Sequence, residues 1–258
     1  MKTVVINNKV LKLYDSIDEM PIVNFQKYNK YLLIDSGIGS DVDDIDKHIV
    51  KIAKFIKAAD TKKALQELQN MRQNIYMINN SISPKYLAFA ALIHSINGRE
   101  VTDLSDENLK FILRDLKSVK HSWFITMLEK LKKKVESELE AYFPSNFVDP
   151  HEKDVYDKLK ARALLMLEQI ITGENKEAEI ENIDRVMLSF YKPRFFSGEN
   201  SVEIQYDKQF ESSCLLIAQK IGLDAKKMTV LQFYNALDTI KKQAEAEAKQ
   251  HKNKNHGR

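Results

Sequence analysis

Apolar residues recur at three- and four-residue spacing along most of the chain after Pro21, which is the spacing of one face of a helix. Three segments follow this spacing most regularly. Their apolar positions are Val42, Ile45, Ile49, Ile52 and Ile56 in the first, Leu68, Met71, Ile75, Ile78 and Ile82 in the second, and Phe124, Leu128, Leu131, Val135, Leu139 and Tyr142 in the third. Each set predicts an amphipathic helix.

Further segments with the same spacing complete a chain of about nine or ten predicted helices. They lie at 84–96, 105–117, 152–172, 178–191, 203–221 and 229–248. Proline and glycine separate the segments, because proline lacks a backbone donor and glycine adopts left-handed angles. The breaks fall at Pro84, Asn97-Gly98, 144–150, Gly173, 193–198 and Gly222.

The first thirteen residues follow a strand pattern instead. In "TVVINNKVLKLYD" two β-prone runs flank Asn7-Asn8, a pair that tolerates the positive φ angles of a tight hairpin turn. An isolated hairpin is marginally stable, so we expect it to pack on helices or to extend a partner's sheet. The predicted fold class is therefore mainly α, with one or more multi-helix domains and a small N-terminal β-hairpin.

The stretch "FPSNFVDP" is the best candidate for a domain boundary, because it holds two of the five prolines after a long helical segment. We predict an N-terminal domain over 1–143, a linker over 144–150 and a C-terminal helical domain over 151–248. A basic tail over 249–258 follows, in which no acidic residue neighbours the lysines. This tail is a candidate contact for nucleic acid or an acidic partner, or it is simply solvated.

Two regions are candidate interfaces. In the hairpin, Val4, Ile6, Val10 and Leu11 are apolar, and no proline blocks the strand edges from pairing with a neighbour. In the loop "YKPRFFSGEN", Phe195 and Phe196 serve either as loop anchors or as a contact patch. The final helix carries an apolar stripe that belongs either to the core or to an interface, formed by Val230, Phe233, Leu237 and Ile240.

Composition excludes several classes of protein. The net charge of +3 provides no global field for nucleic acid. A single cysteine, Cys214, excludes an intramolecular disulfide and a multi-cysteine metal site. The start lacks the apolar run of a signal peptide, and no run of 18 apolar residues occurs, so we expect synthesis in the cytoplasm and no membrane contact.

The stretch "IDSGIGSDVDDID" is the segment that most resembles an active site. Its glycines do not complete G-x-G-x-x-G, and a calcium loop starting at Asp41 would have Ile52 in place of its final glutamate. We therefore expect a helix start. Gly37 ends one helix, and Ser40 caps the next. Three aspartates, Asp41, Asp43 and Asp44, lie in the first turn, where the helix dipole favours negative charge.

No catalytic, cofactor-binding or metal-binding residue is predicted. The sequence contains no H-E-x-x-H pair and no G-x-S-x-G nucleophile elbow. A non-enzymatic protein without a cofactor is therefore expected.

Three stretches carry a resemblance to known proteins. They read "LYDSIDEMPIVNFQKYNKYLLIDSGIGSDVDDIDKHI", "ELQNMRQNIYMINNSISPKYLAFAALIHSINGRE" and "KKMTVLQFYNALDTIKK". They resemble proteins encoded among the structural genes of tailed phages of gut Bacteroidetes, including the crAss-like phages. The resemblance spans most of the chain and includes no catalytic motif.

The resemblance implies a protein of the virion or of its assembly, made in the host cytoplasm. We expect an oligomeric structural subunit, in a ring of the portal–tail neck or associated with the capsid, with other phage structural proteins as partners. A tail assembly chaperone is the first alternative, because "MTVLQFYNALDTI" is similar in character to such chaperones. A nucleic-acid-binding accessory protein is the second.

Overall fold

The computed structural model describes residues 1–6, 8–80, 83–116, 121–144, 152–191 and 193–255. The strands are β1 (Lys2–Ile6), β2 (Lys9–Leu13), β3 (Ile93–Ile96) and β4 (Arg99–Glu100). The helices are α1 (Ile22–Ile38), α2 (Val42–Lys57), α3 (Thr61–Asn79), α4 (Pro84–Ala91), α5 (Asp106–Asp115), α6 (His121–Tyr142), α7 (Glu152–Thr172), α8 (Glu177–Phe190), α9 (Val202–Ile221) and α10 (Val230–Asn255). The prediction of a mainly α chain with an N-terminal hairpin is confirmed.

The hairpin is half of a larger sheet. Four antiparallel strands lie in the order β1-β2-β3-β4, so β2 is paired on both edges. The sequence pattern predicted a helix over 84–96, but this helix ends at Ala91 and the chain continues as β3. Asn97 and Gly98 both have positive φ, which suits the tight turn of a second hairpin. Of the two edges of this hairpin, that of β2 is paired with β3, and that of β1 has no strand beside it among the described residues.

The main hydrophobic core of the described residues lies around α1 and α4. The core-facing side chains of α1 recur at helical spacing, and α4 buries all four of its last residues, of which three are alanines that allow close helix packing. From α6 the core receives Phe124, Leu128, Leu131, Val135 and Leu139, and from α10 it receives Val230, Phe233, Ala236 and Ile240. Of the two readings of the α10 stripe, burial in the chain's own core is the observed one.

The core joins the two parts that the sequence analysis separated at 144–150. Residues of α9 and α10 belong to the same hydrophobic cluster as the N-terminal helices. Two backbone hydrogen bonds also connect the two parts. Ile22 N–H donates to the Met228 carbonyl and Val230 N–H donates to the Met20 carbonyl, each at 2.9 Å. The predicted linker residues 145–150 lie outside the described residues, as do residues 256–258 and the side chains of 249–255 in the tail.

Candidate functional site: an apolar surface backed by a buried polar network

Helices α2 and α3 form an antiparallel pair that turns apolar side chains away from the protein. On α2 the exposed set is Val42, Ile49, Val50 and Ile56, and on α3 it is Leu65, Leu68, Ile75 and Tyr76. We call these eight side chains the outer face. Ile56 and Tyr76 are more than 60% exposed. Apolar stripes of this kind normally face a core, so an outward stripe is a candidate interaction surface.

The opposite side of the pair, which faces the rest of the protein, is unusually polar. Here α2 buries His48, and α3 buries Gln66, Glu67, Asn70 and Asn74. A buried polar group is costly unless it is hydrogen-bonded, and each of these side chains has at least one partner, although Oδ1 of Asn74 has none within the described residues. The Asn74 side-chain amide donates to the Ile38 carbonyl over 2.9 Å. The Asn70 amide donates to the Arg194 carbonyl over 3.2 Å.

His48 lies at the centre of this polar network. Its Nδ1 is 2.8 Å from Oε1 of Glu67, and its Nε2 is 2.7 Å from the carbonyl oxygen of Ile38. Both neighbours are acceptors, and an imidazole donates from both nitrogens only when it is protonated. The geometry therefore favours a buried imidazolium–carboxylate pair.

The ionisation of the pair follows from these contacts. Burial alone would lower the pKa of His48, but the bonds to Glu67 and to the Ile38 carbonyl raise it above its ordinary value. Burial alone would raise the pKa of Glu67, but the His48 bond and the charge of Lys51 lower it. Both shifts stabilise the charged forms.

Tyr191 and Lys51 complete the environment of the carboxylate. The Tyr191 hydroxyl donates to Glu67 Oε2 over 3.2 Å, and Lys51 Nζ lies 3.4 Å from Oε1. Lys51 Nζ also donates to the Tyr191 hydroxyl over 3.0 Å, and the Tyr191 ring stacks on Phe55 with centroids 5.8 Å apart. The network thus links α2 and α3 to the segment that follows α8.

The two phenylalanines of that segment differ in their surroundings. Phe196 is buried, and its ring lies against Gly37 so closely that a Cβ at Gly37 would overlap with it. Phe195 is 43% exposed. Of the two readings in the sequence analysis, Phe196 is an anchor, whereas Phe195 is available for contact.

In the turn between α1 and α2 the observed helix ends differ from the predicted ones. Gly37 does not end α1, which continues to Ile38 and closes at Gly39 with φ of 78°. Ser40 is not the N-cap of α2, because its hydroxyl instead donates to Asp35 Oδ1 over 2.7 Å. Asp41 is the N-cap residue, and the aspartate at the third helical position, Asp44, accepts from the backbone N–H of Ser40 at 2.9 Å and of Asp41 at 3.2 Å.

Asp43 lies in the first turn of α2, as predicted, together with Asp44. Asp43 is exposed, so its contribution is an interaction with the helix dipole. The stretch therefore starts a helix, with the capping role held by Asp41 and Asp44.

A shallow pocket of about 270 Å³ lies over this turn, lined by Asp35, Gly39, Asp44, Lys47, His48, Lys51 and Lys85 among others. Two of its three lysines are paired with aspartates, Lys47 with Asp44 at 2.6 Å and Lys85 with Asp41 at 3.2 Å, and Lys51 shares Glu67 with His48. Both nitrogens of His48 are engaged within the protein. The histidine therefore presents no free nitrogen for proton transfer to a ligand.

A second apolar surface lies on α7 and α8, which we call the arm. The two helices pack on each other, and Arg162 bonds to Asp184 at 2.7 Å. No described side chain from Asp154 to Ser189 is buried. Exposed on α7 are Tyr156, Leu159, Leu164, Met166, Leu167, Ile170 and Ile171, the last of which is 81% exposed.

The predicted interface residues of the hairpin divide into two groups. Leu11 and Ile6 are buried in the chain's own core, and Val4 packs against it. Val10 is partly exposed, next to the more exposed Val5. An interface role stays a prediction for Val10, whereas the burial of Leu11 and Ile6 assigns them to the core.

Neither a metal site nor a membrane span is present in the described ranges. They contain no cluster of three or more His, Cys, Asp or Glu side chains able to hold a metal ion. None of the helices in that part of the chain is long and apolar enough to cross a membrane. Cys214, the single cysteine, is buried.

Comparison with family models, with curated proteins and with solved structures finds no match. The assignment of a function therefore depends on the surfaces described above and on the resemblance in the sequence.

The sequence analysis missed the network and both apolar surfaces. No local signal marked the network, because His48 and Lys51 occupy polar positions of an amphipathic helix and read as solvated side chains. Their partner Glu67 is nineteen residues from His48, and no local pattern connects the two.

Proposed function

We propose that the chain is a non-enzymatic structural subunit of a tailed-phage virion, in a ring of the portal–tail neck or associated with the capsid. It acts by binding other subunits through its exposed helical surfaces. The resemblance in the sequence supports the virion context, and the surfaces support a role in association.

One observation carries the proposal. The α2–α3 pair buries His48, Glu67 and three amide side chains against the rest of the protein, while Ile49, Ile56 and Ile75 are exposed on its outer side. This is the reverse of the usual distribution in a protein that works alone. Large exposed apolar patches on soluble proteins mark interaction sites. A subunit of an assembly has this distribution because its outer face becomes interior when neighbours bind.

A tail assembly chaperone is the second candidate, and the arm favours it. Helix α7 is apolar on almost every side over "ALLMLEQII", which suits the capture of another helix. A chaperone leaves the particle after assembly, whereas a structural subunit stays.

Mass spectrometry of purified phage particles separates the two candidates. A structural subunit gives abundant peptides from this chain in mature particles, at a copy number consistent with a ring or capsid component. Absence from mature particles, combined with presence in assembly intermediates, would contradict the first candidate and support the chaperone.

A further inference from the structure

The segment that follows α8 connects the arm to the rest of the protein, which we call the body. We call the described residues of this segment, Tyr191 and 193–196, the strap. The arm contributes no side chain to the main core, and neither of its helices packs extensively on a helix of the body. Over the part of the chain that the structure describes, the arm side chains form hydrogen bonds and ion pairs with one another, as Arg162 does with Asp184. Within that part, the position of the arm therefore depends on the strap.

The strap contacts the body through side chains rather than through backbone pairing. The Arg194 carbonyl accepts from the side-chain amides of Gln66 over 3.5 Å and of Asn70 over 3.2 Å. Among the described residues, no backbone-to-backbone hydrogen bond joins the strap to α1, α2 or α3. Phe196 is the strap's buried ring. A segment with few buried apolar contacts opens at a lower cost in free energy than the core does.

Tyr191 makes the strap's contact with a charged group. Its hydroxyl donates to Glu67 Oε2 over 3.2 Å and accepts from Lys51 Nζ over 3.0 Å. Glu67 also pairs with His48 and Lys51, both of which belong to α2. Two cationic groups of α2 and one hydroxyl of the strap therefore converge on a single buried carboxylate, and the loss of one member weakens the contacts of the others.

The ring of Tyr191 covers an aromatic side chain that lies outside the main core. Phe55 is fully buried, yet it does not belong to the main hydrophobic cluster. Its ring stacks on the ring of Tyr191, with centroids 5.8 Å apart, and Lys63 Nζ lies 5.7 Å from the Phe55 centroid. Opening of the strap would therefore uncover Phe55 without opening the main core.

We propose that the strap is a latch, which opens as a unit and frees the arm from the body while the body stays folded. The contact between the Tyr191 hydroxyl and the Glu67 carboxylate keeps the latch closed. The inference goes beyond the proposed function, because it concerns how the arm moves and does not depend on which partner the arm meets. It assigns the buried network a second role, in holding the arm.

Double electron–electron resonance between two spin labels on the full chain tests the latch. Cys214→Ala removes the native thiol. Glu181→Cys on α8 and Lys133→Cys on α6 provide exposed attachment points, one on the arm and one on the body. With the strap unchanged, we expect one narrow distribution of distances, in which molecules with an open strap are a minor fraction of about 10% or less.

Two variants open the latch from opposite sides. Tyr191→Ala removes the hydroxyl and the ring from the strap, and Glu67→Gln removes the charge from the body. Each is expected to raise the ratio of open to closed molecules roughly tenfold or more, because hydrogen bonds to a charged group are lost. Circular dichroism of Tyr191→Ala is expected to show unchanged helical content. Tyr142→Ala is the matched control, since Tyr142 is 63% exposed on α6, and it should keep the narrow distribution.

Three results would overturn the latch. A narrow distribution in Tyr191→Ala would show that other contacts hold the arm. A loss of helical content in that variant would show that the strap belongs to the fold of the body. A broad distribution in the chain with an unchanged strap would show that the strap does not keep the arm closed. The proposed function has its own test in the peptides of mature particles, and its failure would leave the latch intact.

Discussion

His48 and Glu67 form a charge pair, with Nδ1 and Oε1 2.8 Å apart, between two helices whose Ile49, Ile56 and Ile75 are exposed. The pair holds α2 and α3 in place through polar contacts to α1 and to the segment after α8. Hydrogen bonds are directional, so such contacts set the orientation of the α2–α3 pair more narrowly than apolar packing would. The outer face is thereby presented at a defined angle.

Removing the carboxylate of Glu67 is expected to lower the free energy of unfolding. Glu67→Gln leaves His48 and Lys51 without their counter-charge, and breaking a buried pair by removing one partner costs about 3–5 kcal/mol. Urea unfolding at neutral pH measures this loss. Glu129→Gln, at an exposed position of α6, is the matched control and should change the free energy of unfolding by less than about 0.5 kcal/mol. Equal effects of the two changes would contradict the structural role of the pair.

The pair also predicts a dependence of stability on pH. The pKa of His48 is raised in the folded state, so its contribution is complete below the unfolded value of about 6.5 and is lost as pH rises through the folded pKa. The pKa of Glu67 is lowered, so its contribution is complete above about 4.3 and is lost as pH falls through the folded pKa.

The stability advantage of the unchanged chain over His48→Gln is therefore expected to be greatest between about pH 4.5 and 6.5 and to shrink at alkaline pH. Urea unfolding of both proteins from pH 4 to 9 measures it. An advantage that grows as pH rises would show that His48 is neutral in the folded protein.

Neighbouring phenylalanines offer a second matched pair of variants. Phe196→Ala is expected to lower the free energy of unfolding by about 3 kcal/mol, because the ring is buried against Gly37. Phe195→Ala should cost less than about 1 kcal/mol, since that ring is 43% exposed. Thermal unfolding of the two variants measures the difference, and a larger loss at Phe195 would contradict the assigned anchor.

The N-terminal hairpin is expected to be required for folding. Deleting residues 1–13 removes Leu11 and Leu13, which are fully buried, and takes away the partner of β3. We expect the loss of a cooperative thermal transition. If the hairpin served only as an interface, the deletion variant would keep its helical content and its cooperative melting. Val10→Glu changes an exposed position and so tests the predicted contact without opening the core.

Local patterns predicted the helices and the first hairpin, because spacing and turn chemistry are properties of short segments. The same patterns could not show which side of α2 faces inward. Periodicity located Val42, Ile49 and Ile56 on one face, but the burial of His48 depends on Glu67 and on the carbonyl of Ile38. The second hairpin was predictable in principle, since Asn97-Gly98 is a strong turn signal that was interpreted only as the end of a helix.

The backbone bonds between Met20–Ile22 and Met228–Val230 bear on how the protein is made. During synthesis from the N-terminus, β2 has no second neighbour until β3 has left the ribosome. The residues around Pro21 acquire their partners only after more than two hundred further residues. Contacts so distant in sequence form late and slowly. Nascent chains therefore carry an incomplete core together with two exposed apolar helical surfaces until α10 closes the structure.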